Sequence, residues 1–500
     1  MFKTSTIGRH RSFWLAGMVC ALLVAAPAAK SQQSQDSDGQ SQDNQPTQPI
    51  PAYRSPFGTG SANNDADENS QDLSPDTRPL SGVQYLSVGN LKTTRSYWQP
   101  QFNIAGSADS NPQEGPAGSG WGAWTSFTAG VDIHRISGAS QLSLNYTGGG
   151  MYSSDSFAPS GTVQELGFSD SISFRRAILS VIDELSYLPQ AGMGFGGLGG
   201  LPSNGIGSTG LGPGETNGQT ILTGQGQNLE NSSVVQLETF LTPRSSVTMS
   251  GGYALLHFFG NNLNLYDSAN ENFQGGYNYQ LTKHNTIAVL YGFNHFSYSS
   301  SDESINLHTV QAAFSRRITG RLMLQIGAGP SFTQLNQIPL SAGGGTGSGG
   351  GLTRTPANGI YWSLNSAIDY QYARTGLDLT YWHGISSGSG VVLGSISDLV
   401  TGSITRKVSK TFSSGISGGY SRNSALFMTI TTNSGENYNY WFAGATLARP
   451  LSSTLALTLS YQMQYQNSNG TFCIGQSCGS NLVRHLISVG LSWQQRPLLF

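Results

Sequence analysis

The sequence predicts an all-β fold, a transmembrane antiparallel β-barrel of about eighteen strands. Three observations predict it. From about Tyr97 apolar and small polar side chains alternate with a period of two, few charges fall on either face, and the connections alternate between short and long.

The alternation is clearest where Leu322, Leu324, Ile326 and Ala328 face away from Met323, Gln325, Gly327 and Gly329. It recurs where Leu455, Leu457, Leu459, Tyr461, Met463 and Tyr465 oppose Ala456, Thr458, Ser460, Gln462 and Gln464. Phe127 to Ile133, Ile287 to Phe293 and Ile360 to Tyr370 repeat it. Period two is the strand signature. In a soluble sandwich the apolar face would be the interior. With so many strands sharing the pattern and so few charges, an apolar outside and a wet inside is the better reading.

The expected strands begin with 96–107, 121–135, 139–152, 163–175, 177–188 and 231–242. Next come 245–258, 271–281, 286–297, 304–316, 321–334 and 359–373. The last six are 375–386, 397–407, 411–423, 436–449, 454–466 and 482–494. Turns of a few residues, such as Pro243 to Arg244 and Thr319 to Gly320, alternate with longer loops, one of which, 298–303, is shorter than the rest. Barrels that span an outer membrane sort their connections in this way, with short turns and both termini in the periplasm. A soluble barrel or propeller has no reason to do so.

Composition agrees. Only 10% of the 500 residues are charged, against roughly a quarter in soluble domains. Gly reaches 65, aromatics make 10% and mean hydropathy is negative. A helical membrane protein would carry long apolar runs, and a disordered chain would lack the aromatics. The formal net charge of −2 leaves no basic field to recruit nucleic acid.

Lys3, Arg9 and Arg11, the apolar stretch Phe13 to Ala26 and small residues up to Ser31 read as a signal peptide over 1–30, with an N-terminal anchor as the alternative. Residues 31–95 are expected to be a polar, Gln-rich periplasmic tail and lead-in, disordered for want of apolar surface, with the barrel over 96–500. Cys20 falls within the signal. Cys473 and Cys478 read as a disulfide closing a small loop, since a metal site would want further ligands nearby. No metal or cofactor is expected.

Aromatics near strand ends suit two interfacial girdles: Tyr187, Tyr253, Phe258, Tyr370, Tyr372, Tyr438, Tyr440, Trp441, Tyr465 and Trp493. His485, Ile487, Val489, Leu491 and Trp493 alternate outward before a final Phe500. This resembles the terminal strand of outer-membrane barrels, although Arg496 and Pro497 interrupt it and make the last residues a short tail. From Tyr97 to Trp493 the architecture resembles the outer-membrane porins. The resemblance implies a place in the bacterial outer membrane, contact with its lipid and lipopolysaccharide, and delivery by the barrel-assembly machinery. It also implies a pore for passive diffusion of small hydrophilic solutes. The longest loop, 189–230, falls where porins carry an inward-folded third loop, which implies a constriction over Met193 to Gln227 whose only charge is Glu215. The alternative is a loop that covers the outer mouth.

On this register Asp132, Glu184, Glu238, Asp369 and Asp378 point into the lumen, with Arg484 among the few bases. They give either a weak cation preference or pairs with wall residues. With a turn at Arg176 and Ala177, Asp170 and Asp183 become direct cross-strand partners on the lipid-facing side. An interface between copies in a homo-oligomer, or a bulge, would shield them. His295 and Ser297, with Asn306 and His308 on the next strand, match the spacing of a lipid-facing hydrolase, but the surrounding family pattern is missing. The G-x-S-x-G strings at 384–388 and 415–419 lack a strand-to-helix elbow. The favoured reading is a non-enzymatic pore. A structural or adhesive surface barrel with a blocked lumen is the alternative, and a hydrolase the remote one.

Overall fold

A computed structural model describes residues 96–112, 120–153, 160–188, 227–259, 267–299, 303–336, 358–387, 394–409, 411–426, 437–468 and 481–500. The expected signal peptide, the Gln-rich tail, the Cys473–Cys478 disulfide and nearly all of the expected constriction loop lie outside these residues.

The first nine strands are β1 (Tyr97–Asp109), β2 (Gly122–Ser137), β3 (Ser140–Ser153), β4 (Gly161–Ser173), β5 (Ala177–Leu188), β6 (Gln227–Thr242), β7 (Ser245–Phe259), β8 (Ser268–Thr282) and β9 (Asn285–Tyr298). The next nine are β10 (Ser304–Thr319), β11 (Leu322–Asn336), β12 (Asn358–Tyr372), β13 (Thr375–Ser386), β14 (Ser395–Lys407), β15 (Ser413–Ala425), β16 (Asn437–Pro450), β17 (Leu455–Ser468) and β18 (Asn481–Gln494). A two-residue β19 (Leu498–Leu499) follows. All eighteen expected segments are strands. The largest displacement is at β6, which begins at Gln227 rather than 231, so Gln227 to Glu230 belong to the wall and not to a constriction loop.

Each strand pairs antiparallel with the next, and β18 returns to β1 from Gln101↔Gln494 to Asp109↔Leu486. The sheet is closed. β19 corrects the expected tail: Tyr97 and Trp98 pair with Leu499 and Leu498, and the Phe500 amide donates to the Ser96 carbonyl at 3.2 Å. Between the two paired stretches the register slips by one residue, because Arg496 and Pro497 sit in a bulge where the missing Pro N–H breaks no ladder bond.

Closure gives every strand one face toward the axis. The outer faces expose Phe102, Ile104, Phe127, Val289, Trp362, Ile416 and Val489, among many apolar residues. The inner faces bury Gln101, Asn103, Ser126, Thr128, Gln311, Ser403, Gln462 and Ser488. Strands of twelve to sixteen residues exceed the roughly nine to eleven that cross hydrocarbon, so both ends reach the headgroup layers. Three girdle assignments are corrected by this parity. Phe258, Tyr438 and Tyr440 are buried on the inward register, one position from outward Phe259, Asn439 and Trp441. Nearness to a strand end does not set direction; the period of two does.

The short turns share a chemistry. Thr242, Thr282 and Thr319 each end a strand, and their Oγ1 atoms accept from the amides of Arg244, His284 and Arg321 at 3.2–3.3 Å. In each case the register slips beside the turn, between Phe240 and Thr242, Gln280 and Thr282, and Arg317 and Thr319. The threonine hydroxyl replaces a ladder bond that the bulge gives up.

Val489 is outward at mid-strand, 49% exposed, beside the seam between β18 and β1. Val489→Lys should lower stability by about 2–4 kcal/mol in lipid, as lipid-facing cations do at mid-depth, measured by reversible urea unfolding in vesicles. Ser488→Lys, one residue away and inward, should cost much less.

Candidate functional site

The inner wall is the surface that a solute would meet. Asp132 is buried there and accepts from the Tyr97 hydroxyl at 3.0 Å. Glu238 is buried on the same face of β6. Asp369 on β12 and Asp378 on β13 are direct cross-strand partners, and the Ser403 hydroxyl donates to Asp378 at 3.2 Å. Two like charges at this spacing repel, and a cation between them would relieve the repulsion. Glu184 lies on β5 opposite Gly167 and Ser232; its side chain is outside the described residues.

Arg484 is inward, but its charge is not available to solutes. Its guanidinium holds Asp109 Oδ2 at 2.6 Å across the seam, with side-chain exposures of 3% and 0%. Sequence reasoning missed Asp109 because the two residues lie 375 positions apart and meet only when the barrel closes. The pair therefore subtracts a base from the lumen and joins β1 to β18.

One side of the outer mouth, at the ends of β9, β10 and β11, is apolar, which the alternation did not predict. Phe296 and Tyr298 on β9, Ile305 and Leu307 on β10, and Leu335 on β11 are inward and buried, and they pack with Ile385 at the end of β13. Ile385 pairs with Ile396 on the outward register, and it joins an inward cluster because the ends of β13 and β14 lie against β9 and β10, where Ser387 and Gly394 meet Tyr298 and Ile305. The Tyr298 hydroxyl donates to the Ser387 carbonyl at 3.0 Å. Gly394, with φ +78°, passes close against Ile305, and a Cβ there would also lie 3.4 Å from Tyr298 Oη. Only glycine combines that backbone with that approach. This narrowing is distinct from the one expected at Met193 to Gln227.

On the outer face, the expected Asp170–Asp183 partnership is corrected. Phe174 donates to the Ala177 carbonyl, so Arg175 and Arg176 form the turn tip. The register then pairs Asp170 with Val181 and Asp183 with Phe168. The shift is two residues, so both carboxylates stay on the lipid-facing register. Ser140 donates to Asp170 at 2.8 Å, while Ser233 and Asn231 donate to Asp183.

His295 hydrogen-bonds Asn306 through Nδ1 at 2.6 Å, and no bond to Ser297 appears among the described residues. Outward His257, His308, His383 and His485 likewise engage Asp267, Tyr291, Asp398 and Tyr461 through Nδ1. Five rings satisfied in the same way make this an interfacial pattern, where an amphipathic ring keeps its polar edge bonded, rather than the mark of a reacting pair.

A closed strand wall with an apolar exterior, a polar interior and short turns at the end where β1 begins and β18 ends belongs in an outer membrane. The protein is an outer-membrane β-barrel of porin-like architecture. No protein-family model matches the sequence, and no curated protein matches it. Solved structures that overlap it include OpdQ of Pseudomonas aeruginosa, 11% identical, covering 81% of this chain and 98% of that one, with a TM-score of 0.38. OccAB3 of Acinetobacter baumannii is 9% identical, with coverages of 80% and 99% and a TM-score of 0.40. OccK2 (OpdF) of P. aeruginosa, solved with glucuronate, is 10% identical, with coverages of 81% and 98% and a TM-score of 0.40.

Removing Arg484 would leave Asp109 charged and enclosed. Arg484→Ala should destabilise the barrel by about 3–5 kcal/mol, read from unfolding in vesicles. Adding Asp109→Asn should recover a large part of the loss.

Proposed function

We propose that the barrel is a passive channel for small hydrophilic solutes, non-enzymatic and weakly cation-preferring. The observation that carries this reading is an eighteen-strand circumference with a polar, sparsely charged inner wall; closed barrels of sixteen to eighteen strands enclose an aqueous path. A second feature supports a hydrated interior. Asn103, Thr128, Asn270 and Asn365, all on the inward register, hold side-chain atoms without a hydrogen-bond partner among the described residues. Buried polar atoms of this kind are ordinarily satisfied by water.

The cation preference follows from the balance of inward charges. Asp132, Glu238, Asp369 and Asp378 face the lumen, and the inward Arg484 is neutralised by Asp109. The paired carboxylates on β12 and β13 are assigned the larger share, since their mutual repulsion is relieved by a passing cation.

The apolar cluster at the outer mouth favours a second reading, a surface barrel whose entrance is shut. Planar-bilayer recording separates the two. Stable unitary steps with a reversal potential favouring K⁺ over Cl⁻ in a salt gradient are expected of the channel. Silence in both the native chain and a Tyr298→Ala, Ile385→Ala variant would favour the shut barrel.

Two further outcomes are expected if the channel reading holds. Asp369→Asn with Asp378→Asn should move the reversal potential toward zero with little change in conductance. Tyr298→Ala with Ile385→Ala should raise unitary conductance by loosening contact between the hairpin tips. Both are read in the same recordings.

A further inference from the structure

The cations of this barrel are sorted to one end. Thirteen of the fifteen described Lys and Arg lie at the short-turn end, the exceptions being Arg422 and Arg484. Every one of the eight short turns, and the segment after β18, carries at least one within it or within a few residues of it. Because strand order follows chain order, these charges form an unbroken ring. All but Lys407 are exposed. The ion pairs among the described residues join His257 to Asp267, His383 to Asp398 and Arg484 to Asp109, so none neutralises this ring.

Four members also face the bilayer. Arg135, Arg316, Arg406 and Arg449 occupy the outward register, in line with Ile133, Phe314, Ile404 and Leu447. Aromatic rings hold guanidinium groups at this level: Arg321 lies 4.9 Å over Tyr372, and Arg449 lies 5.3 Å over Phe412. An aromatic ring at the interface with an arginine on its face fixes a positive charge at headgroup depth. Asp170 is the carboxylate on the outward register nearest this end, and it is engaged by Ser140.

We propose that this ring is a binding surface for anionic phospholipid headgroups of the periplasmic leaflet, with the four outward arginines as its bilayer-facing contacts. A phosphodiester with net negative charge fits the requirements. Its oxygens accept from guanidinium forks, and its glycerol backbone sits at the depth of the outward arginines while the acyl chains cover the apolar wall above them. A zwitterionic headgroup offers the same phosphate but brings its own ammonium into the ring, and is disfavoured by repulsion. A competing occupant exists in the same chain: residues 31–80, which precede β1 in the sequence, hold eight Asp and Glu against two Arg. The outward arginines favour lipid, because a soluble acidic segment has no reason to lie against the hydrocarbon boundary.

The test uses the full chain, loaded with equal phosphatidylglycerol and phosphatidylethanolamine in mixed micelles, with retained lipid counted by native mass spectrometry. Phosphatidylglycerol should be preferred by roughly fivefold at low ionic strength, and the preference should shrink as salt screens the ring. Arg135→Gln, Arg316→Gln, Arg406→Gln and Arg449→Gln together should abolish it, while Arg422→Gln, outward at the opposite end, should leave it intact. Each single variant, less demanding of folding, should lower it in part. Equal retention of the two lipids, or a preference that survives all four substitutions in a folded barrel, would overturn the proposal. So would a preference that appears only when residues 31–80 are deleted, which would assign the ring to the acidic segment.

Discussion

A lipid bilayer offers no hydrogen bonds, and this single deficit dictates the molecule. Each peptide unit that crosses the hydrocarbon must find its partner in the protein, and an extended chain can meet that demand only if the first and last strands meet. The ladder between β1 and β18 is therefore the contact on which the others depend. The seam is reinforced at both ends. At the mouth, Arg484 and Asp109 are locked across it, and at the periplasmic rim β19 extends the pairing past a bulge. A buried ion pair is an uncertain source of net stability, but this one ties together segments that no short-range signal connects.

Strand positions were legible in the sequence because the bilayer imposes a sharp contrast on the outer face. An alternation such as Leu455, Leu457, Leu459 is a direct record of lipid contact, and all eighteen segments were recovered from it. Register was less legible. A two-residue displacement at Arg175 and Arg176 leaves every side chain on its expected face, so the pattern alone could not separate the pairing of Asp170 with Asp183 from the observed pairing with Val181. The hairpin bulges were marked in the sequence by Leu241-Thr242, Leu281-Thr282 and Ile318-Thr319, each followed within two residues by a base or His. That recurrence is the readable sign of the turn chemistry.

The inner wall was less legible still, because water-facing and protein-facing positions share one register. Phe296, Tyr298, Ile305 and Leu307 stand on the same face as Asn294 and Thr309. What distinguishes them is contact with Ile385, Ser387 and Gly394 at the ends of β13 and β14. No periodicity reports such a crossing. Gly394 was one available clue, and in a chain with 65 glycines it could not stand out. The lumen charges were easier: Asp132, Glu238, Asp369, Asp378 and Arg484 all fall on the expected face, and only their partners were hidden.

The order of the strands also has a kinetic meaning. Every ladder outside the seam joins neighbours separated by a turn or loop, whereas the seam, where β18 and β19 meet β1, joins segments some 375 positions apart. During folding, the outer edges of β1 and β18 stay unpaired until these two strands meet. An interrupted chain lacking β18 would keep two raw edges, and those edges are the templates on which sheets aggregate and proteases act. Commitment to the finished wall thus comes late and all at once, and defective copies remain recognisable until that moment.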